Sequence, residues 1–354
     1  MLVLFQRRKS IKIKVGQVEI GGDAPISVQS MTNTDTRNVE ATVSQILELE
    51  KAGCELVRVA VIDEEAANSL KSIKQKINIP LIADIHFNYR LALKAVENGV
   101  DCLRLNPGNI GSKEKVQEVV AAAKHYGIPI RIGVNSGSVH KSILNKYGGL
   151  VPEALVESAL EHVAILEKLG FYNMKVSLKA SRIPLMLEAY RIIASKISYP
   201  LHVGVTEAGT AKSGTIKSAV GIGILLSEGI GDTIRVSLTG DPVQEVYVGF
   251  TILQSLELRK KGIELISCPT CGRCQINLAK IAEKVEAELT FVEKPLKIAV
   301  MGCAVNGPGE AKEADIGIAG GKGQGVLFKK GQVVATIPED KLEACLLQEI
   351  KKMI

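Results

Sequence analysis

The stretch that decides the fold runs from IRIGVNS at residues 130–136, through PEALVESALEHVAILEKLG at 152–170, to MKVSLKA at 174–180. Its first and last segments are short runs rich in Val, Ile and Leu, as in buried strands. The middle segment repeats apolar residues at helical spacing and closes on Gly170, which can end a helix. A strand, a helix and a second strand in this order predict two parallel strands joined by a crossover helix.

The same unit recurs along the chain. Apolar runs of the strand type begin at similar spacing in PISVQSM (25–31), ELVRVAV (55–61), LIADIHF (81–87), CLRLNPG (102–108), IRIGVNS (130–136), MKVSLKA (174–180), LHVGVTE (201–207) and TIRVSLT (233–239). Helical segments such as VEATVSQILELEKAG and RLALKAVENG lie between them. Eight units predict a (β/α)8 barrel of the TIM type rather than an open sheet. The early segment IKIKVGQVEIGG predicts a two-stranded hairpin able to plug the amino-terminal end of the barrel.

The alternation stops near residue 262, so we expect a barrel domain at residues 1–262 and a small α/β domain at 263–354. The second domain is expected to contain a cysteine loop, a helix at 275–289, strands at 296–303 and 314–320, and a hairpin at 325–337. A chain of 354 residues is long enough for one large and one small domain.

Composition sets the remaining expectations. Hydrophobic residues make up 46% of the chain and charged residues 23%, which is ordinary for a globular protein. The apolar run that opens MLVLFQRRK is too short for a signal peptide. No segment is long and apolar enough for a membrane helix, so we expect a cytoplasmic protein. Seven cysteines in a reducing compartment favour metal binding over disulfides. The net charge of +6 is scattered and only weakly suggests an anionic partner.

Polar residues occupy one face of most of the predicted strands, at positions of equal parity. They are Arg58, Asp84, His86, Arg104, Asn106, Arg131, Asn135, Lys175, Ser177, Lys179, Arg235 and Ser237. Because aliphatic residues at the alternate positions suit packing under helices, we expect the polar set to point into the barrel. An internal layer of ion pairs would also explain this set. Cations outnumber the obvious acids, however, and converging guanidinium groups suit a phosphate or diphosphate.

Loops after the last two strands support an anion site. The segments TEAGTAKSG and SLTGDP are rich in glycine, and barrels of this type often bind phosphate there through backbone amides. Glu207 stands at the carboxyl end of the seventh strand, as a catalytic acid or base would. A carboxylate that only neutralises the nearby arginines would occupy the same position.

The cysteine loop SCPTCGRCQ at residues 267–275 carries Cys268, Cys271 and Cys274. Its spacing suits either tetrahedral zinc or an iron-sulfur cluster. The pattern of a bacterial ferredoxin fails downstream, because no fourth cysteine follows in QINLAK. Cys303 enters a Gly/Pro-rich loop in MGCAVNGPGE, seven residues before Glu310. A structural zinc-ribbon module that binds nucleic acid remains an alternative, although aromatic residues are only 4% and Trp is absent.

The motifs ISCPTCGR and MGCAVNGPGE, together with DIHF, RLNPGN, RIGVNSGS, VSLKAS, GVTEAG and IRVSLTGDP in this order, resemble a known family. The chain is similar over essentially its whole length to the (E)-4-hydroxy-3-methylbut-2-enyl diphosphate synthases of the methylerythritol phosphate route to isoprenoids, in their compact bacterial form. The resemblance implies that 2-C-methyl-D-erythritol 2,4-cyclodiphosphate is reductively opened and dehydroxylated. It also implies a [4Fe-4S] cluster held by Cys268, Cys271, Cys303 and Glu310, with Cys274 outside the ligand set.

The resemblance assigns further residues. Substrate-binding positions of the family fall on Arg58, His86, Arg104, Arg131, Asn135, Lys179, Arg235, Ser237 and Asn306. Glu207 matches a carboxylate that handles a proton, and Glu310 matches the ligand that a substrate oxygen displaces. The family implies reduced flavodoxin or ferredoxin as the electron donor, with no membrane or nucleic-acid partner. It also implies a homodimer in which the cluster domain of one subunit covers the barrel mouth of the other.

Overall fold

The computed structural model describes residues 6–289, 292, 294–303 and 311–354 of the chain. It divides the chain into two compact units, residues 1–259 and 260–354. Hydrophobic side chains form separate cores in the two units. No helix in the described part of the chain is long and apolar enough to cross a membrane.

The first unit contains a short hairpin and an eight-stranded parallel sheet. The strands are β1 Ile13–Val15, β2 Val18–Ile20, β3 Ser27–Met31, β4 Leu56–Ala60, β5 Leu81–Asp84, β6 Cys102–Leu105, β7 Ile130–Asn135, β8 Met174–Lys179, β9 His202–Val203 and β10 Thr233–Ile234. The sheet order is β8-β7-β6-β5-β4-β3-β10-β9, and a parallel bridge between Val176 and Leu201 joins its two ends. The sheet therefore closes, and the predicted (β/α)8 barrel is confirmed.

Helices connect the barrel strands and cover their outer face. They are α1 Val39–Lys51, α2 Glu64–Lys74, α3 Tyr89–Glu97, α4 Lys113–Tyr126, α5 Lys141–Tyr147, α6 Pro152–Lys168, α7 Ile183–Lys196, α8 Ala211–Ser227 and α9 Pro242–Ser255. Side-chain caps start several of them: Asn38 accepts a hydrogen bond from the Ala41 amide, and Asp63 accepts one from the Ala66 amide. Gly127 ends α4 at φ +68°, where a side chain would be strained.

The last two barrel strands are shorter than their apolar runs predicted. Only His202–Val203 and Thr233–Ile234 have strand geometry. The two segments remain close beyond β9 and β10, because the Arg235 amide donates to the Val203 carbonyl at 2.9 Å. A Cβ at Gly204 would lie 2.4 Å from the Arg235 carbonyl oxygen. Glycine is therefore required at this contact.

The hairpin β1–β2 seals the amino-terminal end of the barrel, as the sequence predicted. Its buried residues Ile13, Val15 and Ile20 form one apolar cluster with Leu56, Ile82 and Cys102. These last three residues stand on β4, β5 and β6, at the same parity as the inward polar residues. The barrel interior, hereafter the lumen, is therefore closed from below by apolar packing.

In its described residues, the second unit has a five-stranded mixed sheet and two α-helices. Its elements are β11 Ile263–Ser267, α10 Leu278–Leu289, β12 Leu296–Met301, β13 Ile316–Gly320, β14 Gln324–Lys329, β15 Gln332–Pro338 and α11 Leu342–Lys351. Strands β11, β12 and β13 are parallel, and β13, β14 and β15 are antiparallel. The small α/β domain is thus confirmed. Strand β11 was not predicted, since its alternating, partly exposed residues give a short and weak apolar signal.

Candidate active site

Strand alternation places polar side chains in the lumen. On β8, Met174, Val176 and Leu178 join the core under the helices. The alternate residues Lys175, Ser177 and Lys179 face the other way and are buried. A lumen lined by cations is unusual, because barrels of this type are normally filled by aliphatic layers.

Arg104 is fixed by contacts on both sides of its guanidinium group. Its Nη1 lies 2.9 Å from Asp84 Oδ1, and its Nη2 donates to the Gly133 carbonyl at 2.8 Å. A Cβ at Gly133 would lie 2.5 Å from Arg104 Nε, so only glycine leaves room for this side chain. The Gly133 amide in turn donates to Asn106 Oδ1 at 2.9 Å. Strands β6 and β7 therefore hold Arg104 in one orientation.

Asp84 is the carboxylate that balances the arginines on this side of the lumen. Its Oδ2 lies 3.5 Å from Arg58 Nε, and His86 Nε2 lies 3.4 Å from its Oδ1. Burial acts to raise the pKa of Asp84, but the charge of Arg58, the hydrogen bond to His86 and the charge of Arg104 outweigh it. The pKa of Asp84 consequently lies well below its ordinary value, and the group is ionised.

Arg58, Arg131 and Lys179 are buried cations with few protein partners. Arg58 contacts Met31 Sδ at 2.8 Å through Nη2. Arg131 is fully buried, and none of its three side-chain nitrogens has a hydrogen-bond partner among the described residues. Burial lowers the pKa of Arg131 to about 10, with the charge of Arg104 acting in the same direction. Burial and then the charge of Arg58 lower the pKa of Lys179 well below its ordinary value.

Glu245, which the sequence did not single out, positions Arg235. This acid lies on helix α9 and is 4% exposed. Its Oε2 is 3.4 Å from Arg235 Nε and accepts a hydrogen bond from Ser30 Oγ at 3.0 Å, while its Oε1 accepts one from the Leu238 amide at 3.0 Å. A single acid among apolar residues of a helix, at PVQEVYVGF, is the signal that could have identified it.

The remaining predicted barrel residues lie toward the carboxyl ends of the strands. His86 follows β5 and is half exposed, with Nε2 3.0 Å from Arg104 Nη1. Asn135 ends β7 in register with Lys179, and its backbone amide donates to Ser138 Oγ at 3.0 Å. Ser237 follows Arg235 by two residues and is half buried. Arg58, Arg104, Arg131, Lys179 and Arg235 therefore share one lumen with these polar groups near its mouth.

Glu207 is exposed and has a backbone φ of +53°. A non-glycine residue in this region stores of order 1 kcal/mol or more of strain, which is common at functional sites. It follows β9 at the carboxyl end of the barrel, where catalytic residues of this fold lie.

His162 supports the loop after β6 from outside the barrel. It lies on α6, is 8% exposed, and its Nδ1 accepts a hydrogen bond from the Gly108 amide at 3.1 Å. A Cβ at Gly108 would lie 2.8 Å from the imidazole ring. Burial lowers the pKa of His162 to about 4. The ring is therefore neutral, as accepting this hydrogen bond requires.

In the second unit, two of the proposed ligand cysteines follow neighbouring parallel strands. Ser267 at the end of β11 is in register with Val300 of β12, so Cys268 and Cys303 leave the same edge of the sheet. The Gly302 amide donates to Cys268 Sγ at 3.3 Å. Cys271 is exposed on the loop after β11, and its carbonyl accepts a hydrogen bond from the Cys274 amide. The thiols of Cys268, Cys271 and Cys303 are free.

Cys274 has a packing role in this unit. Its Sγ contacts the Ile276 carbonyl at 3.2 Å and packs against the core of the sheet. A Cβ at Gly302 would lie 2.6 Å from the same sulfur. Glu310 and Asn306 lie outside the described residues. Among the described residues, no three His, Cys, Asp or Glu side chains stand close enough together to hold a metal ion.

A closed barrel with a cationic lumen, joined to a small sheet unit with free thiols at the ends of parallel strands, defines a two-domain TIM-barrel enzyme. Residues 10–250 match the GcpE TIM-barrel domain, and residues 264–352 match the GcpE protein C-terminal domain. The chain belongs to the GcpE family of 4-hydroxy-3-methylbut-2-en-1-yl diphosphate synthases.

Two curated relatives carry that name with the qualifier flavodoxin. The relative from Caldanaerobacter subterraneus subsp. tengcongensis is 63% identical over 352 residues, which is 99% of each chain. The relative from Geobacter sulfurreducens is 61% identical over 348 residues, covering 98% of this chain and 99% of its own. The similarity thus spans both units.

Two solved structures of dihydropteroate synthases superpose on about 70% of this chain. A dihydropteroate synthase from Stenotrophomonas maltophilia superposes with a TM-score of 0.52 at 14% identity, covering 70% of this chain and 98% of its own. One from Coxiella burnetii gives a TM-score of 0.50 at 9% identity, covering 71% and 100%. At such identities the likeness supports the TIM-barrel fold and nothing about activity.

Proposed function

We propose that this enzyme reductively opens and dehydroxylates 2-C-methyl-D-erythritol 2,4-cyclodiphosphate to (E)-4-hydroxy-3-methylbut-2-enyl diphosphate, a step of isoprenoid biosynthesis. The observation that carries this proposal is the 61–63% identity, over nearly the whole chain, to proteins named as synthases of that product. The cationic lumen supports it, because the substrate is an anion. The alternative of a structural zinc-ribbon module is not favoured, because both domains match this one enzyme family.

The barrel would bind the diphosphate of the substrate. Its proposed contacts are Arg58, His86, Arg104, Arg131, Asn135, Lys179, Arg235, Ser237 and, outside the described residues, Asn306. Asp84 and Glu245 hold Arg104 and Arg235 in place before substrate arrives. Such preorganised charges act strongly in a buried site, where water does not screen them. The unpartnered nitrogens of Arg131 are then available to phosphate oxygens.

The second domain would hold a [4Fe-4S] cluster through Cys268, Cys271, Cys303 and Glu310. The free thiols at one sheet edge suit such a cluster, and the Gly302 amide near Cys268 could stabilise its charged sulfurs. The described thiols do not stand at metal-ligand spacing, so we expect them to close around the cluster as it binds. When bound, the cluster would supply electrons to the substrate one at a time. A carboxylate is a harder and more readily displaced ligand than a thiolate.

Glu207 would transfer a proton at the mouth of the barrel, where it is exposed to solvent and can exchange protons. The names of the relatives support a flavodoxin as donor, with ferredoxin as the other candidate. We further propose a homodimer that works in the cytoplasm, whose reducing conditions would keep the seven cysteines as thiols. Sedimentation of the purified enzyme would test the dimer.

The test of function uses the full chain, purified and reconstituted with iron and sulfide without oxygen. With reduced flavodoxin it should convert the cyclodiphosphate to the hydroxy-alkenyl diphosphate, detected by mass spectrometry. Its visible spectrum and iron and sulfide contents should indicate about four iron atoms per chain. A colourless, zinc-containing protein would contradict the cluster, and an iron-loaded protein without turnover would contradict the reaction.

A further inference from the structure

The floor of the lumen has two unlike halves. On β4, β5 and β6 the inward side chains are Leu56, Ile82 and Cys102, which pack on the hairpin β1–β2. On the other five strands the inward side chains near this level are polar. They are Arg131 on β7, Lys175 on β8, His202 on β9, Thr233 on β10, and Ser27 and Gln29 on β3.

The polar half is buried and lacks protein partners. Each of these six side chains is at most 1% exposed. Several of their polar atoms have no hydrogen-bond partner among the described residues. These atoms are Lys175 Nζ, both ring nitrogens of His202, both side-chain amide atoms of Gln29, and the hydroxyl oxygens of Thr233 and Ser27. Buried polar groups are nearly always hydrogen-bonded, and an unpaired buried ammonium is especially costly. A group of unpaired buried side chains this large indicates a binding site for a ligand that they share.

These groups lie side by side. Arg131 and Lys175 are paired in register on adjacent strands, and Thr233 is paired with both His202 and Ser27. Burial, followed by the charges of Arg131, Lys179 and Lys175, lowers the pKa of His202, so the ring is neutral. Burial also lowers the pKa of Lys175 to about 8, with Arg131 acting in the same direction. Burial raises the pKa of Cys102, at the border of the two halves, while the charges of Lys175 and Arg131 act in the opposite direction.

Charge balance points to an anion. Six cations, counting Lys175, stand on the inward faces of the barrel strands, and two carboxylates, Asp84 and Glu245, contact cations of this set. The excess is four positive charges if all six are protonated. A cyclic diphosphate carries two negative charges, one on each phosphorus, so an excess of two remains even with substrate bound. Only this count rests on the proposed function.

We propose that the polar half of the floor binds a small monovalent inorganic anion, of the size of chloride, between Arg131 and Lys175. Every side chain of the polar half can donate a hydrogen bond, which suits an anion rather than a metal ion. The six side chains of the polar half are at most 1% exposed, so a small anion suits this enclosed position better than a phosphate. The anion would offset one of the two residual charges and leave Arg58, Arg104, Lys179 and Arg235 free for the diphosphate. Arg131, whose three side-chain nitrogens lack partners among the described residues, could contact the small anion and the diphosphate together.

The first test measures thermal unfolding of the full-length protein by circular dichroism. Chloride replaces gluconate at constant ionic strength, and bromide is tested in the same way. We expect a saturable rise in Tm of roughly 2–4 °C at ten-fold excess over Kd. The rise should be lost in Lys175→Met, which keeps the side-chain length without the charge, and retained in Lys76→Met, whose lysine is exposed. Equal rises in both variants would overturn the proposal.

The second test needs no variant and stands if Lys175→Met fails to fold. Crystals of the unaltered protein are soaked in bromide, with and without inorganic pyrophosphate, and anomalous scattering locates the ion. We expect a peak within hydrogen-bond distance of Lys175 Nζ and the Arg131 guanidinium in both soaks. No peak there would mean that water alone fills the floor, and a peak displaced by pyrophosphate would make it part of the diphosphate site. Either result overturns the proposal without touching the proposed reaction.

Discussion

Asp84 and Arg104, on adjacent strands, form a buried ion pair in which Oδ1 lies 2.9 Å from Nη1. The same carboxylate lies 3.5 Å from Arg58 Nε, so one acid holds two arginines of the proposed diphosphate site. This pairing keeps a strongly cationic lumen compatible with folding, because an unpaired buried charge costs several kcal/mol.

Asp84→Asn should destabilise the protein by about 3–5 kcal/mol, because it leaves Arg58 and Arg104 without a counter-ion. Urea unfolding would measure the loss. Inorganic pyrophosphate should restore part of it by supplying negative charge to the same guanidinium groups. Asp23→Asn removes an acid from an exposed pair with Lys12 and should change stability little. A similar effect from both substitutions would contradict the role of Asp84.

Arg131→Ala should separate binding from stability. Loss of a charge-assisted contact should weaken substrate binding by roughly 10- to 100-fold, measured by calorimetry. The iron content should stay unchanged, because this residue belongs to the other domain. Removing a buried cation without a protein partner should also destabilise the fold less than a typical truncation of a large side chain. An unchanged dissociation constant would count against the lumenal diphosphate site.

Glu207 can be tested with two substitutions that differ in backbone freedom. Glu207→Gly should raise stability by about 1 kcal/mol, because glycine adopts a φ of +53° without strain. Glu207→Gln keeps the strain and should leave stability nearly unchanged. Both should lower kcat by roughly 10²–10⁴ if the carboxylate transfers a proton. Full turnover in Glu207→Gln would leave only a neutralising role for this acid.

Cys274→Ala and Cys303→Ala form a matched pair for the cluster. After reconstitution, Cys274→Ala should keep about four iron atoms per chain, because its sulfur contacts the Ile276 carbonyl and the sheet core. Cys303→Ala should lose most of its iron and its visible absorption. Iron loss from the Cys274 variant with retention in the Cys303 variant would show that the ligand set is wrong.

His162 predicts a pH dependence of stability. The pKa of His162 is about 4 in the folded chain, against an ordinary value of 6.5. The unfolded chain therefore binds a proton at higher pH, so stability is complete above about 6.5 and declines as pH falls toward 4. The decline linked to this residue is on the order of 3 kcal/mol.

Urea unfolding at pH 7 and pH 5 measures roughly 2 kcal/mol of this decline, because the rest follows only as pH approaches 4. His162→Gln should reduce it, leaving the part due to His202, whose pKa is also lowered by burial. His125→Gln, which changes an exposed histidine, should behave like the unaltered protein. An undiminished decline in the His162 variant would contradict the assignment.

The barrel could be predicted from sequence because its information is local. Period-two alternation in MKVSLKA distinguishes Lys175 and Lys179 from Val176 and Leu178. Because helices cover the outer face of a closed parallel sheet, the polar face must point into the lumen. Two features were missed, each for a reason of its own. Strand β11 is short and half exposed, and Glu245 reaches Arg235 from a helix, at a distance that no spacing rule encodes.

The sequence by itself determined the order of strands and helices, the parity of the lumenal residues and the family, because these depend on residue patterns along the chain. Only the tertiary structure decided which cations have partners. Asp84 holds Arg58 and Arg104, and Glu245 holds Arg235, whereas Arg131 and Lys175 have no described partner. That difference depends on distances between side chains of different strands and helices, which are fixed only when the sheet closes.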